Sequence, residues 1–178
     1  MNLDLLAWLL ARTAGLTAFL ALSISVLSGL ALRTALFERL ASNRALLSLH
    51  RFTTVLWAPC AAVHLIGLLL DQTARIRPFD LLLPFQAPYG ALGVGLGTVS
   101  AELFALVTAT AWLRRRMDGR LWRWLHRLAY PAFALAFVHA LLAGTDFSDP
   151  LVSAVTWAVA AFLLALTAAR LLWGRLPA

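Results

Sequence analysis

The chain has 178 residues, of which 62% are hydrophobic and only 13% charged, about half the charged share of a soluble domain. That much apolar surface excludes a water-soluble globule and points to a membrane protein whose outer faces are covered by lipid. The net charge of +7 comes from fifteen arginines without a lysine, a pattern that fits the arginine bias of cytoplasmic membrane loops and not a nucleic-acid surface.

A hydrocarbon core of about 30 Å needs roughly 20 apolar residues in helix, and five stretches reach that length. The first lies within Leu5–Leu32 and carries Arg12 in its outer part. It has no basic leader and no clear Ala-x-Ala site, so it does not read as a signal peptide. The second runs from about Leu46 to Leu70 and contains the single cysteine, Cys60, read as a small core residue. Next comes Asp71 to Pro88, punctuated by Pro78, Pro84 and Pro88, in which Phe79 to Phe85 reads as a short interfacial segment. The third helix, about Leu92–Leu113, holds Gly93, Gly95 and Gly97. Their spacing is not that of a dinucleotide-binding loop and suits a close-packing face. Glu102 falls near the middle of this helix, where a carboxylate is costly; a proton relay and a hydrogen bond within the bundle are both open to it. The fourth helix spans about Leu121–Leu142, and the fifth about Leu151–Leu172. Asp149 is placed to cap the fifth helix ahead of Pro150. The expected fold is an all-α integral membrane bundle of about five helices, with residues 1–178 forming one domain. Trp122, Trp124 and Trp173 read as an interfacial belt, and Trp124 is also placed to face a ligand in the bundle.

Arginine placement sets the expected orientation. Arg33, Arg39, Arg44, Arg51, Arg114, Arg115, Arg116, Arg120, Arg123, Arg127, Arg170 and Arg175 fall on one side, and Arg12, Arg75 and Arg77 on the other. The positive-inside rule puts the N-terminus outside and the C-terminus in the cytoplasm, as five helices require, in what reads as a bacterial inner membrane.

The four histidines all fall in the second and fourth helices. His50 and His64 are fourteen residues apart and His126 and His139 thirteen, or about 21 and 20 Å along a helix. Helices two and four run in the same direction, so His50 is level with His126 near the cytoplasmic face and His64 with His139 near the outer face. Each level pair can clamp one planar ligand. Two imidazoles saturate haem iron and leave no open site for oxygen chemistry, so such a centre serves electron transfer. One haem, a structural role, or another metal remain alternatives. Fourteen positions return to nearly the same helix face, but thirteen land about 140° away, and Pro131 between His126 and His139 is where a kink could correct this.

The segments LHRFTTVLWAPCAAVHL and LWRWLHRLAYPAFALAFVHALLAGTD, with PFDLLLPFQAPYGALGVGLG and LLARTAGLTAFLAL, resemble the ferric reductase-like transmembrane domain family. That family includes the membrane cores of ferric reductases and NADPH oxidases and the haem-bearing membrane subunit of bacterial methionine sulfoxide reductase systems. The resemblance implies two haem b groups, His50 pairing with His126 and His64 with His139. The family core usually has six helices with the histidines on the third and fifth, so a leading helix is missing from this reading. No flavin and nicotinamide domain follows either, so the resemblance implies an electron-transfer subunit more than a complete enzyme. Its donor would be a separate cytoplasmic flavin reductase or a membrane quinol, and its acceptor ferric iron or an extracytoplasmic reductase partner. The rival reading is a haem-free helical transporter or assembly factor whose histidines bind a transition metal.

Arg12 is a candidate partner for the outer haem's propionates, and Arg51 and Arg127 for those of the inner haem; snorkelling and positive-inside bias are the competing explanations. Arg114 to Arg116 could dock an acidic flavoprotein. Phe133 and Phe137 read as plain packing more than as an electron path.

Overall fold

The structure, a computed structural model, describes residues 3–32 and 41–173. Arg33, Arg39 and Arg175 of the orientation reading lie outside the described residues, as do the side chains of Arg170 and Trp173. Six α-helices follow in order: α1 Leu3–Ala31, α2 Asn43–Leu70, α3 Ala91–Leu113, α4 Gly119–His126, α5 Ala129–Ala143 and α6 Pro150–Trp173. Five spans are long and apolar enough to cross a membrane, α4 and α5 together making one of them. Their outer faces carry Leu20, Phe52, Val55, Ile66, Trp112 and Leu164, all exposed. A surface of that kind is stable against lipid, not water.

α1 has no proline, and its buried positions are mostly small: Ala7, Ala11, Ala18, Ala21, Ser23, Ser25 and Ser28. Small residues let neighbouring backbones approach closely. Several of its hydroxyls turn back to their own helix, Thr13 to the Leu9 carbonyl at 2.8 Å and Ser28 to the Ile24 carbonyl at 2.7 Å, which satisfies polar groups where water is absent. α2 contains Pro59 in mid-helix; the ring removes one helical N–H donor.

Two compact units divide the chain: Met1–Phe19 with Ala58–Gly144, and Leu20–Trp57 with Thr145–Ala178. The chain passes from one to the other inside α1 and again inside α2.

In the first unit, Asp4 accepts from Gln72 N at 2.8 Å and Thr73 Oγ1 at 3.0 Å, joining the start of α1 to the turn that follows α2. A 3-10 turn at Pro78–Leu81 follows. Arg77 donates to both Asp80 oxygens, at 3.0 and 2.8 Å, and Thr98 on α3 donates to the Asp80 carbonyl at 3.2 Å. The bonds from Arg77 hold the Asp80 carboxyl below its ordinary range, and the same pairing raises the pKa of the Arg77 guanidinium. Phe79, Leu82, Leu83, Phe85 and Tyr89 are exposed beside this turn, the distribution expected of a segment resting in the interface. α3 packs along α5, where buried Ser100 donates to the Ala132 carbonyl at 2.8 Å.

The expected fourth helix is broken. α4 is short, and Asp118 caps it by accepting from Arg120 N and Leu121 N at 2.8 and 3.0 Å. These backbone bonds keep the Asp118 carboxyl below its ordinary range. Arg127 and Leu128 then form a turn, with 3-10-type bonds from Leu128 N to the Leu125 carbonyl and from Tyr130 N to the Arg127 carbonyl. Pro131, in the first turn of α5, has no N–H to continue the ladder. Each tightened residue rotates about 120° instead of about 100°, which moves His139 back toward the face of His126 and reduces the angular mismatch of a continuous helix.

In the second unit, α6 starts as expected: Asp149 accepts from Leu151 N and Val152 N at 2.9 and 3.1 Å.

Candidate functional site

Three of the four imidazoles are held in the same way. His64 Nδ1 donates to the Ala11 carbonyl at 2.7 Å, and His139 Nδ1 to the Gly93 carbonyl at 2.8 Å, both in the first unit. In the second unit His50 Nδ1 donates to the Ser25 carbonyl at 2.8 Å, with Ser25 Oγ 3.2 Å from the same nitrogen. A carbonyl oxygen only accepts, so Nδ1 carries the proton and Nε2 keeps its lone pair. That is the neutral tautomer a metal binds, and the Nδ1 bond orients the ring and strengthens it as a ligand. These carbonyl partners have no side-chain signature and are invisible in the sequence.

His64 and His139 face one another with ring centroids 6.3 Å apart and planes at 75°. Two imidazoles on opposite sides of one metal place each nitrogen about 2.0 Å from it, with the ring centre about 1.1 Å further, so the centroids fall roughly 6.2 Å apart. The observed spacing fits one metal atom between the rings. Among the described residues no group of three or more His, Cys, Asp or Glu is placed to hold a metal ion. A two-imidazole set suits haem, whose macrocycle supplies the four equatorial ligands.

His126 ends α4 and belongs to the first unit, whereas His50 belongs to the second. Trp122 stacks on His126 at 5.0 Å and 18°, and the Arg114 guanidinium lies over Trp122 at 4.3 Å. Trp122 is therefore engaged inside its unit, while Trp124 is 69% exposed and faces outward. Arg12 lies over the Trp8 ring at 4.8 Å, and Arg51 and Arg127 are exposed beside their histidines. Phe133 is buried and stacks on Phe19 at 5.7 Å, with Phe137 at 6.5 Å from the same ring. Cys60 is a half-buried free thiol. Glu102 is exposed on α3, so its carboxylate meets the surroundings of the chain and not the interior of the bundle.

Residues 14–137 match the family model described as ferric reductase like transmembrane component. His50, His64 and His126 fall inside that match and His139 lies two residues beyond it. The chain is also similar to the protein-methionine-sulfoxide reductase heme-binding subunit MsrQ of Rhodospirillum rubrum, 39% identical over 62 residues. That stretch is 34% of this chain and spans only 30% of the relative's length. No solved structure matches. With more than half of its length matched by that model, the chain belongs to the ferric reductase-like transmembrane component family.

Proposed function

We propose that the chain is a single membrane domain that carries electrons across the bilayer through two b-type haems, each held by two histidines. The observation that carries this is the His64–His139 pair, 6.3 Å apart with both Nδ1 atoms bonded away. His50, with its Nδ1 fixed in the same way, is assigned with His126 to the second centre on helix spacing and on the family's doubled-histidine pattern. When bound, haem supplies one-electron chemistry at iron. The chain's own residues do the rest. The imidazoles fix the ligand planes, and the carbonyls of Ala11, Ser25 and Gly93 hold the tautomer. The small-residue face of α1 lets the His64 and His50 rings sit close to its backbone. Arg12, Arg51 and Arg127 are assigned to haem propionates.

The arginine distribution favours an N-terminus outside and a C-terminus in the cytoplasm of a bacterial inner membrane. Electrons would enter from a cytoplasmic flavin reductase or membrane quinol and leave to an extracytoplasmic acceptor. The similarity to MsrQ favours a reductase partner over ferric iron. A reporter fused after Arg116 tests the orientation, and an outside signal overturns it. A pyridine haemochrome assay on the purified chain should give about two b haems, because each iron takes two imidazoles. His64→Ala and His139→Ala should remove the same one. A folded chain that stays colourless after haem supplementation would favour a haem-free transporter or assembly factor instead.

A further inference from the structure

The three acceptor carbonyls share a feature of sequence. Four residues after Ala11 stands Gly15; four after Ser25 stands Gly29; four after Gly93 stands Gly97. In a helix the carbonyl of residue i accepts from the N–H of residue i+4, and its second lone pair remains available. Side chains lean toward the helix N-terminus, so the side chain at i+4 covers the turn that holds that carbonyl. Only glycine at i+4 leaves the second lone pair open to a ring arriving from another helix.

The distances agree at each position. A Cβ on Gly15 would lie 2.8 Å from His64 Nδ1 and 3.0 Å from Cε1. On Gly97 it would lie 2.6 and 2.7 Å from the same atoms of His139, and on Gly29 3.2 Å from His50 Cε1 and 3.3 Å from Nδ1. The first two are closer than a methyl carbon tolerates, and the third is tight. The carbonyl–glycine pairs on α1 are fourteen residues apart, as His50 and His64 are on α2.

We infer that Gly15, Gly29 and Gly97 are positioning residues: each opens the carbonyl four residues before it to one imidazole and so leaves that ring's Nε2 for the metal. This rests on the proposed haem ligation for its consequence, but the contact itself lies between groups of the chain and can be tested apart from it.

The test uses the full chain purified from membranes. Gly97→Ala and Gly15→Ala should each lower haem content from about two per chain to about one, losing the centre of His64 and His139. Gly29→Ala, the mildest, should keep both haems while altering the low-spin spectrum of the other centre. Gly95→Ala is the packing control: the nearest atoms to its Cβ would be those of the Phe85 ring and backbone nitrogen and not of a histidine, so surviving folded protein should keep both haems. A second measurement reads the contact without haem. If Gly15 serves only to admit His64, then Gly15→Ala should lower the midpoint of thermal unfolding, or abolish folding, in the unsubstituted chain and do neither in His64→Ala. Equal losses in both backgrounds would overturn the inference, as would a Gly15→Ala chain with two unaltered haems. A colourless unsubstituted chain would overturn the haem reading alone, since the paired Gly15 and His64 substitutions would still decide whether the glycine admits the ring.

Discussion

Ser25→Ala isolates one hydroxyl at one histidine. Thr54 Oγ1 donates to the His50 carbonyl at 2.7 Å, so at its 2.9 Å contact with Ser25 Oγ it accepts. The Ser25 hydroxyl proton therefore points to Thr54, and an oxygen lone pair faces His50 Nδ1 at 3.2 Å. That contact is long beside the 2.8 Å bond to the Ser25 carbonyl, so the hydroxyl is the weaker of two acceptors sharing one N–H. A neutral hydrogen bond nets about 0.5–1.5 kcal/mol, and a long shared one belongs in the lower half of that range. An acceptor on Nδ1–H strengthens the imidazole as a donor and favours the oxidised, more positive iron. Alanine should therefore raise the midpoint potential of the haem proposed at His50. Only the part of that energy that differs between oxidised and reduced iron moves the potential, so with about 59 mV per roughly 1.4 kcal/mol for one electron the rise should stay below about 40 mV. Thr54 keeps its bond to the His50 carbonyl, so the cost to folding should be on the order of 1 kcal/mol, that of the contacts the Ser25 hydroxyl makes. A spectroscopically resolved redox titration of wild type and Ser25→Ala reads the shift. A downward shift, no shift, or one shared equally by the haem that His64→Ala removes would refute the reasoning.

Phe133→Ala removes a buried ring stacked on Phe19 and should cost about 3–5 kcal/mol; thermal unfolding in detergent with a loss below about 1 kcal/mol would contradict that packing. The 75° angle between the His64 and His139 planes should give the oxidised centre a strongly anisotropic low-spin electron paramagnetic resonance signal; a signal typical of parallel imidazoles would exclude this geometry. Asp80, held below its ordinary range by Arg77, contributes stability that is full above its unfolded pKa of about 3.9 and is lost as pH falls through its lower folded value. Asp80→Asn should therefore loosen residues 77–86 at neutral pH, and hydrogen exchange there should lose its acid dependence below about pH 4; identical profiles for the two chains would count against the ion pair.

The five spans are legible in the sequence because length and hydropathy are one-dimensional properties, and the helix ends fall within three residues of the expected ones. The capping role of Asp149 is equally local. The break at Arg127–Leu128 is legible only as a conflict: thirteen residues do not return His139 to the face of His126, and Pro131 marks where the conflict could be relieved. Trp122 reads as belt from the sequence because its partner, the His126 ring, is reached only through three-dimensional stacking. The acceptors of the imidazole protons cannot be read at all, since any residue owns a carbonyl. Yet Gly15 and Gly29 repeat the fourteen-residue interval of His50 and His64, a coincidence that the order of residues alone displays.

The same interval explains why α1 carries glycines that weaken it. A glycine inside a helix costs up to about 0.8–1.0 kcal/mol relative to alanine, and α1 holds two, Gly15 in its interior and Gly29 in its last turn. In hydrocarbon a neutral imidazole that gives Nε2 to a metal still has an N–H to satisfy, and no water is present to accept it. A second polar side chain would bring its own unsatisfied groups, whereas a helical carbonyl already has a free lone pair. Leaving one buried N–H unbonded costs about 1–3 kcal/mol, more than the glycine that opens a carbonyl to it. A helix that must hold two such rings at different depths therefore places a glycine at each, separated by the spacing of the rings, and α1 has Gly15 facing His64 and Gly29 facing His50.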